Sequence, residues 1–325
     1  MKNRKILLAN ILLLLALLLF ILVPYIAKTL FKLNGSISGN ISLLLSGCTS
    51  IIALGGIALL YCIITKRTFK EVMVIKKISI NQVFLTVSVA VGTYVFAVGI
   101  NSVSMKLFPI AIKDSMAISK LLSSSSLFLG LMVVVLLPAF FEEVFFRGIF
   151  LDAYEGVNKK IKYFIIIAIF ASFHGNIMQI IYVLFLGFIL LKVREYTGSL
   201  IGSMTLHAAN NAISFIISKT VMNITNTGAK NGVMDPTQVA ATTAALNASF
   251  LIVLLRASIF FLIGGAILFI NLRKLKEYKE KKDGLELINN NYAVRKEGII
   301  HMDKKEYIPL IIYFVSITSL VVLRY

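Results

Sequence analysis

Six side chains able to move a proton or to meet a developing charge stand inside otherwise apolar stretches of this chain: Glu142, Glu143, Arg147, His174, His207 and Asn211. An ionisable group in hydrocarbon is costly unless it is partnered, so its presence there is a sign of function by default. Glu143 and Arg147 are four residues apart, neighbours on one helix face, and can neutralise each other as an ion pair. Successive helical residues turn by about 100°, which leaves Glu142 roughly a quarter turn away as the spare carboxylate. His207 and Asn211 are also four apart, so an imidazole and a carboxamide project toward one point and can donate two hydrogen bonds to an oxyanion in a dry site. Phe170 precedes His174 by one turn and is placed to pack beneath the imidazole and fix its orientation. Pro138, four residues before Glu142, deprives a carbonyl of its helical partner and can kink the helix where the cluster starts.

Each group also has a plainer reading. Glu143 and Arg147 serve equally as structural glue, and a single buried histidine is commonly a packing hydrogen bonder. Arg256 has no evident partner and reads as a packing or snorkelling side chain. His301, the third histidine, falls in a polar stretch.

The elements that must position these groups are set by composition. Of 325 residues, 58% are hydrophobic and mean hydropathy is +0.89, which makes lipid the solvent of most of the chain. The expected fold is all-α, a polytopic transmembrane helix bundle of about eight or nine spans with the site inside it. A window of about 19 residues places candidate spans near 6–26, 41–64, 82–104, 126–150, 162–175, 177–192, 199–218, 248–271 and 307–323. The fifth and sixth are short and share the break at Gly175 and Asn176, a pattern that suits a tilted or re-entrant segment. The first segment, behind Lys2, Arg4 and Lys5, has too long an apolar core for a cleaved signal and no A-x-A site, and is read as a retained helix. Gly55-Gly56 and Gly264-Gly265 read as close helix contacts, and Cys48 and Cys62 as small buried hydrophobes.

A net charge of +18 would suggest nucleic acid in a soluble protein. Here the basic residues fall at span ends, and the segments around Lys5, Lys66, Lys159, Lys192 and Arg273 to Lys305 lie on one side of an alternating topology. That side is cytoplasmic by the retention of Lys and Arg, which puts the N-terminus inside, the C-terminus outside, and excludes nucleic acid as a partner. Counted from the cytoplasmic ends, Glu142, His174 and His207 reach a common depth of roughly 12–18 Å. The chain divides into N-terminal helices and loops (1–125), a helical core with the site residues (126–218), and C-terminal helices (219–325) with a basic cytoplasmic linker at 273–305 that includes Asn289, Asn290 and Asn291. The outer stretch 219–247 carries turn formers, Asn231, Gly232, Asp235 and Pro236, and no chemistry. Ser123 to Ser126 reads as a loop or a helix start.

Glu142-Glu143-Val144-Phe145-Phe146-Arg147 fits EExxxR, Phe170 to His174 fits FxxxH, and His207 to Asn211 fits HxxxN. In order and spacing these motifs resemble the CPBP family, also called Abi, which includes type II CAAX prenyl endopeptidases and bacteriocin-processing or self-immunity proteins. The resemblance covers roughly residues 126 to 215. It implies an intramembrane endopeptidase in the cell membrane that hydrolyses a hydrophobic or lipid-anchored peptide by glutamate-activated water. It further implies Glu142 as general base, His174 as a holder of the water, His207 with Asn211 as the oxyanion site, and Glu143, Arg147 and Phe170 as support. No cofactor is favoured; the alternative is zinc or another divalent metal on Glu142, His174 and His207. A different class of function, a non-catalytic membrane scaffold or bacteriocin-immunity factor, would keep the same constellation for packing. An ion-coupled transporter is the weaker third reading, because repeat symmetry is lacking.

Overall fold

The structure, a computed structural model, describes residues 2–32, 38–112, 118, 121–122, 125–228, 247–290, 300 and 302–324. His301, Asn291, Asn231, Gly232, Asp235, Pro236, Ser123 and Ser124, named above, lie outside the described residues. Among the described residues, regular structure is helical apart from one isolated bridge between Val157 and Ile300. The helices are α1 (Lys2–Leu30), α2 (Gly39–Thr65), α3 (Phe69–Met73), α4 (Ile80–Leu107), α5 (Leu127–Ala153), α6 (Lys159–Ser172), α7 (Ile177–Thr197), α8 (Leu200–Gly228), α9 (Phe250–Asn290) and α10 (Lys304–Arg324).

Eight of these, all but α3 and α6, are long and apolar enough to cross a membrane. The protein is an integral multi-pass membrane protein. The fifth candidate span contracts to α6, whose 14 residues reach about 21 Å, short of a hydrocarbon core of ~30 Å. An ion pair between Lys159 at the start of α6 and Glu195 near the end of α7 shows the two to be an antiparallel hairpin. The pair therefore enters and leaves on one side, and the alternation of the other spans is preserved. Gly175, at φ +58, supplies the left-handed backbone of the turn. Asn176, buried, then caps α7 by accepting from the amides of Met178 and Gln179. Without that cap, a helix starting deep in the bundle would leave amides unsatisfied.

Helix starts nearer the polar layers follow the same chemistry. Ser79 with Gln82 and Thr68 with Glu71 form reciprocal capping boxes at α4 and α3, and Ser38, Ser126 and Asn158 cap α2, α5 and α6. The basic helix ends gather at one face. There Asp152 takes the ammonium of Lys5 (3.3 Å), the hydroxyl of Tyr61 (2.7 Å) and the guanidinium of Arg67. Asn10 joins α1 to α5 and α10, accepting from Tyr154 (2.7 Å) and donating to the Glu306 carbonyl (2.8 Å). At the opposite end, the Asn40 side chain accepts from the Ser126 amide (2.9 Å).

Three sequence expectations change. Of the glycine pairs, only one member of each makes the close contact: Gly55 faces Phe141 and Gly264 faces the Phe96 backbone, whereas Gly56 meets open space and Gly265 has only a Phe96 ring carbon, at 3.9 Å from an added Cβ. Adjacent residues point about 100° apart on a helix, so both cannot face one neighbour. Cys48 is exposed and only Cys62 is buried, because α2 turns the former outward. The polar stretch after Arg273 begins as helix, α9 running on to Asn290. Arg256 lies exposed on α9, in keeping with a snorkelling side chain.

Candidate active site

The site is built on α5, which departs twice from α geometry: a π-helical turn covers Leu131–Leu136 and a second covers Glu143–Ile149. Between them sits Pro138. The carbonyl of Val134, four residues before it, is the one that Pro138 has no N–H to reach. Asn211 of α8 donates its carboxamide N–H to that carbonyl at 3.1 Å. The kink anticipated from Pro138 is thus tied to the very helix that carries His207.

Glu143 and Arg147 form the ion pair that their spacing implies, at 2.9 Å, with both side chains fully buried. The same Glu143 Oε1 also accepts from His207 Nδ1 at 2.9 Å. A carboxylate only accepts, so this bond fixes Nδ1 of His207 as a donor and turns its Nε2 toward Glu142. Glu143 is therefore more than a counterion: it orients the imidazole. The second guanidinium arm of Arg147 donates to the Gly187 carbonyl at 3.3 Å on α7, and its carbon lies 4.0 Å from the Phe170 ring centroid. Gly187 makes room for this, since a Cβ there would stand 3.2 Å from Phe170.

Phe170 is the hub of the arrangement. Both imidazoles meet it edge to face, His174 at 5.2 Å and His207 at 6.1 Å between centroids, a favoured aromatic geometry. His174, just past the end of α6, is held by its Nδ1 on the Phe170 carbonyl at 2.9 Å, which leaves Nε2 available. The expected support of the imidazole by Phe170 is present, and the ring serves the second histidine as well.

Glu142 is the spare carboxylate in the structure too. Its side chain is 20% exposed, and its Oε2 stands 3.9 Å from His207 Nε2 with no hydrogen-bond partner. Such a gap is too long for a direct bond and suits a bridging oxygen. Glu142 and His174 lie within electrostatic range of each other, as do the two histidines. The fold thus brings Glu142, Glu143, Arg147, Phe170, His174 and His207 into one neighbourhood. Asn211 lies one turn beyond His207, also facing α5.

One polar pair escaped sequence reasoning. Asn210, buried, donates to the Tyr182 hydroxyl of α7, and its Oδ1 has no partner. The adjacent asparagines 210 and 211 were the signal, and only helical phase relative to His207 separates their roles. As for a divalent ion on Glu142, His174 and His207, among the described residues no three His, Cys, Asp or Glu side chains are gathered so as to hold one, and no step is assigned to a metal.

A buried Glu-Arg-His cluster on three helices, joined by an asparagine to a proline-broken turn, coincides with a known family over the same stretch. Residues 124–213 match the family model described as type II CAAX prenyl endopeptidase Rce1-like. The chain carries a CPBP-family core. That core runs from the start of α5 to the middle of α8 and contains all three motifs; the helices of 1–123 and those after 213 lie outside the match. No curated protein and no solved structure matches the chain. The CPBP core is hence the part of the molecule whose relatives include proteases, and it is the part that holds the buried charges.

Proposed function

We propose that the protein is an intramembrane endopeptidase, seated in the cell membrane with its N-terminus cytoplasmic, that cleaves a hydrophobic or lipid-anchored peptide. The observation that carries this reading is the unpartnered Glu142 carboxylate facing His207 Nε2 across 3.9 Å. A water held by Glu142 and His174 gives one proton to Glu142, and the hydroxide attacks the scissile carbonyl carbon. The carbonyl oxygen becomes an oxyanion that His207 and the second N–H of Asn211 stabilise. The tetrahedral intermediate collapses, the C–N bond breaks, and Glu142 returns its proton to the leaving nitrogen. Glu143 and Arg147 act by holding His207 in place. An apolar cavity of about 520 Å³, lined by Ile52, Gly55, Phe140, Phe141 and Val144 among others, flanks Glu142 along α5 and supports a hydrophobic substrate. The proposed route uses no metal; cleavage that survives chelation, with no metal in the purified protein, is its expected signature.

The test is Glu142→Gln in reconstituted protein. Cleavage of a hydrophobic or prenylated peptide should fall on the order of 10²–10⁴-fold, with melting unchanged because Glu142 holds no structural bond. Cleavage at the wild-type rate removes Glu142 as the base. The second reading, a scaffold or immunity factor, is favoured by the Asn211 amide being engaged by Val134. It predicts a cellular phenotype that persists in Glu142→Gln without detectable proteolysis.

A further inference from the structure

On the basic face, away from the apolar cavity, a second cavity of about 400 Å³ opens among the ends of α2, α3, α5, α6, α7 and α9. Arg194 lines it and is 9% exposed. Its guanidinium meets only the Met73 carbonyl, at a long 3.4 Å, and its Nε has no acceptor. Among the described residues no carboxylate pairs with it. The cavity's acids are engaged elsewhere: Asp152 with Lys5, Tyr61 and Arg67, Glu195 with Lys159, Lys192 and Tyr163, and Glu71 with the Thr68 amide. Glu155 is left at the exposed rim. Arg147 also lines the cavity, and its Nε too is buried without an acceptor. Lys162 and Lys279 complete the wall with positive charge.

A buried guanidinium is stable only when its charge and its N–H groups are answered. Two such N–H groups without acceptors on the wall of one cavity, with lysines beside them, describe the complement of a multi-oxygen anion. Guanidinium geometry matches phosphate oxygens especially well. We propose that this cavity binds a phosphate group, with Arg194 as its principal ligand and Lys162 beside it. The phosphate comes from the headgroup of an anionic lipid or from solution. The basic face is the one that would meet anionic headgroups if the charge bias sets orientation. The site stands apart from the peptidase reading, since Arg194 and Lys162 have no part in that chemistry.

The full chain in nanodiscs of phosphatidylcholine, with and without phosphatidylglycerol at fixed ionic strength, tests the site by melting temperature and by native mass spectrometry of retained lipid. The wild type should melt higher with phosphatidylglycerol and retain it on the order of tenfold over the neutral lipid. Arg194→Gln should abolish both effects. Lys162→Gln, at a less buried position, should reduce them and covers the case in which the arginine variant fails to fold. Lys70→Gln, exposed on the same face outside the cavity, should leave them intact. Inorganic phosphate added to protein in neutral nanodiscs separates the sources: if it reproduces the wild-type rise, the ligand is the free anion, and if it does not, the headgroup. Equal responses from wild type, Lys162→Gln and Lys70→Gln would reduce the effect to surface charge, and no response to either probe leaves the cavity to water; both results overturn the proposal.

Discussion

Between α4 and α9 the helices approach until backbone meets backbone: a methyl placed on Gly264 would stand 2.6 Å from the Phe96 amide nitrogen, and one on Gly92 would stand 2.8 Å from Ile267. Between α5 and α8 the same task of holding two helices in lipid falls to polar bonds, from Glu143 to His207 and from Val134 to Asn211. Lipid supplies no hydrophobic drive between helices, so close packing and interhelical hydrogen bonds are the available means. The first pair uses only packing and lies outside the family match; the second spends buried charge and lies within it. The contrast teaches that glycine contacts mark where the bundle must merely close, while charged contacts mark where it must also position an atom.

The largest expected effect separates the two. Arg147→Met leaves Glu143 as an unpaired buried charge and should destabilise the protein by about 3–5 kcal/mol, seen as a large drop in melting temperature together with loss of cleavage. Retained cleavage in that variant would mean the ion pair does not position His207. An intermediate effect is expected at the glycine contact. Gly264→Val should cost about 1–3 kcal/mol by forcing α4 and α9 apart, and the surviving folded fraction should cleave at the normal rate per molecule; a fall in specific rate would show that the pair reaches the site after all. The smallest effect sharpens the polar case. Pro138→Ala restores an N–H that competes with Asn211 for the Val134 carbonyl. Asn211→Ala alone should lose about 1 kcal/mol, and the same change in the Pro138→Ala background should lose less. A double-mutant cycle reads the difference as coupling, and strict additivity would deny that Asn211 stands in for the missing amide.

Much of this was open to reading from the residues. Long apolar runs gave the spanning helices, i,i+4 spacing gave the Glu143 and Arg147 pair, and the turn between Phe170 and His174 gave their contact. The second bond of Glu143 was not legible, because a wheel drawn at α geometry assigns that carboxylate to Arg147 alone. In a π-helical turn bonded i to i+5, each residue rotates less, and nothing in the sequence announces the widened turn. The brevity of α6 was hidden because residues 173–175 are as apolar as a helix yet form the turn that Gly175 permits. Asn210 and Asn211 are chemically identical, and which of them meets α5 depends on the rotation of α8. Arg194 looked like one more basic residue at a span end; only three-dimensional packing shows it enclosed without a counterion.

The widened turn at Glu143–Ile149 carries a consequence for length as well as for shape. It fits one more residue into the same rise than an ordinary turn would, so the register of everything after it depends on that surplus being kept. Removing a single residue from this stretch would let the helix relax to regular winding and swing Phe150 through Ala153 by about 100°, breaking the hold of Asp152 on Lys5, Tyr61 and Arg67 at the far rim. A chain shortened by one position there should lose more than most of its substituted versions, although no individual side chain of the chemistry would have been altered.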